Sequence, residues 1–160
     1  YFKTGRLFEA SAKCGAILVN ENDKKYISNV SSFAKNLGIA FQLEDDLLDC
    51  FGDKQKVGKQ VGGDILANKK TLLLIRALKV AKGNDLVELN SWLSAKEFVP
   101  EEKIEAVKTL YKRLEVVEYA NQQINTFYKR GIKNLDNVTA SKAQKKALYE
   151  FAAWLMARES

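Results

Sequence analysis

Apolar residues recur along this chain in steps of three and four, and strand-type alternation is absent, so the pattern is helical from end to end. Leu7, Ala10, Cys14 and Ile17 share one face of a first helix, whose small residues Ala10, Ser11, Ala12, Gly15 and Ala16 suit close packing. Asn20 to Asp23 is a polar break that contains a capping residue. A long helix is predicted from Lys24 to Asp49 or Cys50, with Ile27, Val30, Ala34, Leu37 and Phe41 as its inward stripe and Phe51-Gly52 as its stop. The stretch from Gly52 to Gly63 reads as a loop holding four of the nine glycines. Asp64 is expected to cap a helix that runs through Thr71, Leu72, Leu73, Leu74 and Ile75 to Ala81. Gly83-Asn84-Asp85 reads as a turn before a short helix to about Leu93. Pro100 opens another long helix carrying Ile104, Val107, Leu110, Tyr111, Leu114 and Val117, extending past Tyr119 to Phe127 or Gly131. A last helix, from about Ser141 to Arg158, should bury Leu148, Phe151, Ala152 and Leu155. With one proline, the chain reads as all-α, a single helical domain over residues 1–160.

Composition narrows the chemistry. At 46% hydrophobic and 29% charged residues the profile is that of a soluble globular domain. No apolar run approaches the roughly 18 residues of a membrane span, and no signal peptide is visible. Cys14 and Cys50 lie far apart and in no metal-ligand spacing, which predicts free thiols and a cytoplasmic location. Histidine is absent, so Ser–His and Cys–His nucleophiles and histidine-ligated zinc are excluded. The net charge is +6, but the lysines are dispersed and form no basic stripe interleaved with aromatics. That argues against nucleic acid. It leaves a solvated basic surface or an anionic small substrate.

One segment departs from ordinary core. Residues 44–53 hold five acidic positions, Glu44, Asp45, Asp46, Asp49 and Asp53, in a basic chain. The stripe Ala34, Gly38, Phe41 continues by steps of three and four onto Asp45 and Asp49, so two carboxylates are expected to end a core-facing line. They repel one another and oppose the helix dipole. Either they are solvated or paired with Lys or Arg from another helix, or they hold a divalent metal such as Mg²⁺, which takes a few carboxylates and completes its shell with water and phosphate. Lys54, Lys56 and Lys59 follow among glycines, then Lys69 and Lys70. Acids to hold metal beside lysines to hold phosphate make a metal–diphosphate site. The loop is not a Walker motif, since Gly58-Lys59 precedes Gln60; no strand precedes it, as a dinucleotide fingerprint requires; and it lacks EF-hand spacing.

The run Phe41-Gln42-Leu43-Glu44-Asp45-Asp46-Leu47-Leu48-Asp49, then Phe51-Gly52-Asp53, Gly58-Lys59, Gly63-Asp64-Ile65 and Lys69-Lys70-Thr71, resembles the second aspartate-rich region of trans-prenyl diphosphate synthases, the farnesyl and geranylgeranyl diphosphate synthase relatives. Lys3-Thr4 with Leu7-Phe8 and Gly15-Ala16 resembles the helix before it, and Trp154-Leu155-Met156-Ala157-Arg158 the family's terminal helix.

The resemblance implies the C-terminal half of an isoprenoid-synthase-type helical bundle that transfers an allylic group onto isopentenyl diphosphate with Mg²⁺. It implies Asp45 as direct metal ligand, Asp46 and Asp49 as holders of metal-bound water, and Lys3, Lys59 and Lys69 as grips on the allylic diphosphate. Lys3 would stand with Thr4 and Gln42 in the catalytic group, Thr4 and Gln42 near the reacting carbons. The family's first acidic motif and its isopentenyl diphosphate site belong upstream of Lys3, so this chain supplies one wall of a two-wall site and should fold without condensing the substrates by itself. A bare apolar helix face should favour self-association, with a homodimer as the expected form. The alternatives are a non-catalytic subunit of a heteromeric synthase, a structural helical interaction module, and a terpene cyclase, whose second motif uses Asn, Ser and Glu instead.

Overall fold

A computed structural model describes residues 4–20, 22–52 and 61–157, which form eight helices with no strand among them. None of these helices is long and apolar enough to cross a membrane. The described residues fall into two compact units, one of residues up to 42 and from 123 onward, the other of residues 43–122.

The first unit holds α1 (Gly5–Asn20), the first part of α2 (Lys24–Phe51), most of α7 (Val116–Asp136) and α8 (Lys142–Met156). Asp23 starts α2, its carboxylate accepting the Tyr26 N–H at 2.9 Å, a cap that contributes about 1 kcal/mol. Ser141 and Gln144 form a reciprocal capping box at the start of α8. Phe33, Ala34 and Leu37 of α2 are buried with Ala16, Leu135, Ala152 and Leu155. Where α1 meets α2, a Cβ on Gly38 would lie 3.0 Å from Gly5 Cα and the Phe8 ring, so a larger residue would require its neighbours to give by a few tenths of an ångström.

Two faces differ from expectation. Leu7, Ala10, Cys14 and Ile17 are exposed, and α1 instead packs through Gly5, Phe8, Ala12 and Ala16. Small residues let the backbones close, so they take the contact and leave the larger apolar face open. On α8, Ala152 and Leu155 are buried as predicted, while Leu148 and Phe151 are exposed.

The second unit is built around α6 (Pro100–Arg113), against which α3 (Gly63–Leu66), α4 (Leu72–Val80) and α5 (Gly83–Ser94) each pack. Ile104, Val107, Leu110 and Tyr111 form the buried face of α6, against Cys50, Ile65, Leu73, Leu74 and Leu89. The single helix expected after Asp64 is two, because Asn68 turns the chain with φ 48°. The helix expected to run past Tyr119 breaks at Glu115, with φ 53°, and α7 starts anew with Val116 fully buried. Residues 83–85 open α5 rather than preceding it. Lys103, beside the stripe, is 1% exposed with its ammonium 4.2 Å from the centre of the Phe98 ring.

Candidate functional site

The last two turns of α2 present the acids on different faces. Adjacent residues on a helix are separated by about 100°, so Asp45 and Asp46 diverge. Asp46 is 7% exposed, Asp45 is exposed, and Asp49 is half-buried. The stripe read from Ala34 to Phe41 therefore does not carry Asp45 inward. In the second unit the buried positions of α2 are Asp46 and Cys50, spaced by four.

Asp49 is tied down by the segment that enters α3. Its backbone carbonyl accepts the Gly62 N–H at 2.6 Å, and its Oδ2 accepts the Asp64 N–H at 2.8 Å. Gly62 reaches this position with φ 93°. A Cβ there would sit 2.7 Å from the Ile104 side chain, so glycine serves both the left-handed backbone and the close approach.

Lys69 supplies the positive charge. Its ammonium hydrogen-bonds the Asp64 carboxylate and lies 3.8 Å from Asp46 Oδ1. The turn that presents it is held by the Lys69 N–H on the Asp64 carbonyl at 2.9 Å and by the Asn68 amide on the Leu93 carbonyl at 3.0 Å. Burial alone would lower the Lys69 ammonium, but the bond to Asp64 and the charges of Asp64, Asp46 and Asp49 outweigh it and raise it. Burial raises the Asp49 carboxyl, as do the negative Asp64 and Asp45, against the opposing pull of the Asp64 N–H and of Lys69. Burial next to the same acids pushes the Cys50 thiol up to about 12, which keeps it protonated and unreactive.

The structure thus brings Asp46, Asp49 and Lys69 together in one unit, with Asp64 as a fourth member that the sequence reading took for a helix cap. Thr4 and Gln42 are paired in the other unit, where Thr4 Oγ1 donates to Gln42 Oε1 at 2.6 Å. Lys3 and Lys59 lie outside the described residues.

Among the described residues no group of three or more carboxylates or thiols converges as a metal cage. Asp45 is an exposed carboxylate with no hydrogen bond or ion pair among those residues, adjacent in sequence to Asp46, which Lys69 approaches to 3.8 Å. Mg²⁺ is commonly bound by one or two carboxylates with substrate phosphates and waters. The residues fit a metal shared with a phosphate ligand and do not fit an all-protein site.

Comparisons with known proteins place the chain in a family. The profile of the polyprenyl synthetase family matches residues 1–114. A short chain isoprenyl diphosphate synthase of Methanocaldococcus jannaschii is 39% identical over 113 residues, which cover 71% of this chain and 34% of that protein. A geranylgeranyl diphosphate synthase of Saccharolobus solfataricus is 33% identical over 98% of this chain and 46% of its own length. Among solved structures, the geranylgeranyl pyrophosphate synthetase from Pyrococcus horikoshii superposes with a TM-score of 0.86 at 34% identity, over 98% of this chain and 46% of that one. The chain spans less than half the length of these relatives. Its match to the family profile, which takes in the acidic run and the Asp64–Lys69 turn, shows that the chain belongs to the polyprenyl synthetase family, the trans-prenyl diphosphate synthases.

Proposed function

We propose that this chain supplies the second acidic wall of a prenyltransferase that joins an allylic diphosphate to isopentenyl diphosphate in isoprenoid biosynthesis. The observation that carries the reading is the cluster of Asp46, Asp49, Asp64 and Lys69, drawn from two helices and a turn and flanked by the exposed Asp45. A solvated acidic helix end needs no such fixed turn.

In the proposed site Asp45 would hold Mg²⁺ directly, with Asp46 and Asp49 supporting it through water. Lys3, Lys59 and Lys69 bind the oxygens of the allylic diphosphate as point charges. Magnesium held there would supply further positive charge against the leaving diphosphate. The allylic C–O bond breaks with its electron pair going to the diphosphate, leaving an allylic cation. Thr4 and Gln42 are proposed to lie along that cation and steady it through their oxygens. The double bond of isopentenyl diphosphate then attacks, forming the carbon–carbon bond, and the resulting cation loses a proton to the departed diphosphate. No histidine is needed, in keeping with a chain that has none. Turnover requires charge neutralisation from both sides of the diphosphate, so the chain by itself binds and does not condense. The exposed Leu7, Ile17 and Leu18 of α1 support association, with a homodimer as the proposed form, and two free cysteines support a reducing, cytoplasmic setting.

The test is thermal unfolding with Mg²⁺, inorganic diphosphate, and both. A ligand at about 100 times its Kd adds about 2.7 kcal/mol, a rise of roughly 5–10 °C for a chain of this size. That rise is expected with both present. No rise would favour a purely structural helical module.

A further inference from the structure

We propose that Lys69 is a tethered counter-cation that occupies the acidic cluster until a divalent metal displaces it, and that its release readies it for the diphosphate. The inference rests on the reading of the acidic cluster as a metal–diphosphate site and assigns it an order of events.

Asp46 is a nearly buried carboxylate, and a buried charge requires a partner. Lys69 provides one from 3.8 Å while it hydrogen-bonds Asp64. Its backbone is fixed on both sides, by Lys69 N–H on the Asp64 carbonyl and Thr71 N–H on the Lys69 carbonyl. Its side chain, in contrast, is 41% exposed. The ammonium is therefore the movable part of an otherwise fixed turn, and it can swing to solvent without unfolding anything.

A metal bound through these acids would place a second cation beside the first. The two repel, and the lysine, being tethered by a flexible stem, is the one that gives way. An anionic diphosphate on the metal then gives the freed ammonium a new partner. Lys69 consequently opposes metal binding when it comes alone and favours it when diphosphate comes too. The arrangement offsets part of the negative charge of Asp46 and Asp64 before the metal arrives and couples the two ligands afterwards.

Chemical labelling reads this directly. The chain is treated with a limiting amine-acetylating reagent, and Lys69 labelling is quantified by mass spectrometry against the exposed neighbour Lys70. The Lys69 to Lys70 ratio should rise several-fold on adding Mg²⁺ alone and fall again when inorganic diphosphate is added. In parallel, Mn²⁺ binding is followed by electron paramagnetic resonance in the parent chain and in Lys69→Met. The variant should bind Mn²⁺ alone about ten-fold more tightly, with Lys69→Arg close to the parent. If Mn²⁺ binds but the labelling ratio does not move, or Lys69→Met binds Mn²⁺ no more tightly than the parent, the counter-cation role is overturned while the metal site stands. If the parent binds no Mn²⁺ with or without diphosphate, the metal site itself is wrong and this role falls with it.

Discussion

The backbone N–H of Asp64 donates to Asp49 Oδ2 at 2.8 Å, fifteen residues away along the chain. That bond closes the turn entering α3 onto the end of α2, and through the Asp64 carboxylate it brings Lys69 to the acids. A half-buried carboxylate and a short helix are thereby joined into one polar cluster, whose geometry depends on residues 62–64.

Gly62 carries that closure. Gly62→Ala places a side chain at φ 93° with its Cβ 2.7 Å from Ile104. Strain in the left-handed region and overpacking each cost about 1–3 kcal/mol. Urea denaturation should show a loss of about 2–6 kcal/mol. A loss below about 0.5 kcal/mol, the range of an ordinary surface change, would mean that the turn relaxes freely.

Asp45 and Asp46 should separate stability from binding. Asp45 is exposed, so Asp45→Asn should leave stability within about 0.5 kcal/mol and abolish most of the rise in melting temperature given by Mg²⁺ with diphosphate. In a complete enzyme the same change should lower turnover by orders of magnitude. Normal magnesium-dependent turnover in Asp45→Asn would remove Asp45 from the site.

Lys103 is a buried ammonium whose partner is the Phe98 ring. Burial pushes it below its ordinary value, so the unfolded chain holds the proton more firmly than the folded one. Stability contributed by this group rises with pH from the folded value up to about 10.4, where the unfolded lysine also loses its proton. Lys103→Met should therefore stabilise the fold by about 1–3 kcal/mol at neutral pH, and its advantage should shrink toward about pH 10. Denaturation curves across that range give the difference. A variant less stable than the parent at every pH would show that the ring contact outweighs the desolvation.

The two thiols should behave as opposites. Cys14 is exposed and Cys50 buried, with the Cys50 thiol pushed from 9.0 to about 12 by burial and then by Asp49, Asp64 and Asp46. A chromogenic disulfide reagent at mildly alkaline pH should titrate one thiol in the folded chain and two after denaturation. Rapid reaction of both would contradict the packing of Cys50. Because the folded chain keeps this proton while the unfolded one releases it above about pH 9, the group's contribution to stability falls as pH rises beyond that point.

Much of this was legible in the sequence because its signals are local. Asp23 and Gly52 mark the ends of α2, Pro100 opens α6, and Ser141 with Gln144 starts α8. The acidic run and the lysine at position 69 mark where the polar cluster of Asp46, Asp49 and Lys69 forms. What failed to show depends on partners distant in sequence. Helical periodicity places Leu7 and Ile17 on one face of α1, but it does not say that Ala12 and Ala16 take the contact with α2. The break at Glu115 has no glycine or proline; it forms because Val116 and Ala120 are drawn into the second unit's core. Asn68 did carry a signal, since Asn tolerates the left-handed region, and it separates α3 from α4. Asp45 and Asp46 differ by one step of the helix, and the periodicity of the stripe does not carry the information that Asp46 is the buried one. Asp64 looked like a cap because a cap and a salt-bridge partner use the same side chain.

The central claim is that the acids of α2 bind an allylic diphosphate through magnesium. Calorimetric titration of geranyl diphosphate into the 160-residue chain tests it most directly, with and without Mg²⁺, in the parent and in Asp45→Asn. The account predicts saturable heat with Mg²⁺, little without it, and a loss of at least ten-fold in affinity in the variant. Binding of equal strength with and without Mg²⁺, or none under either condition, would contradict it.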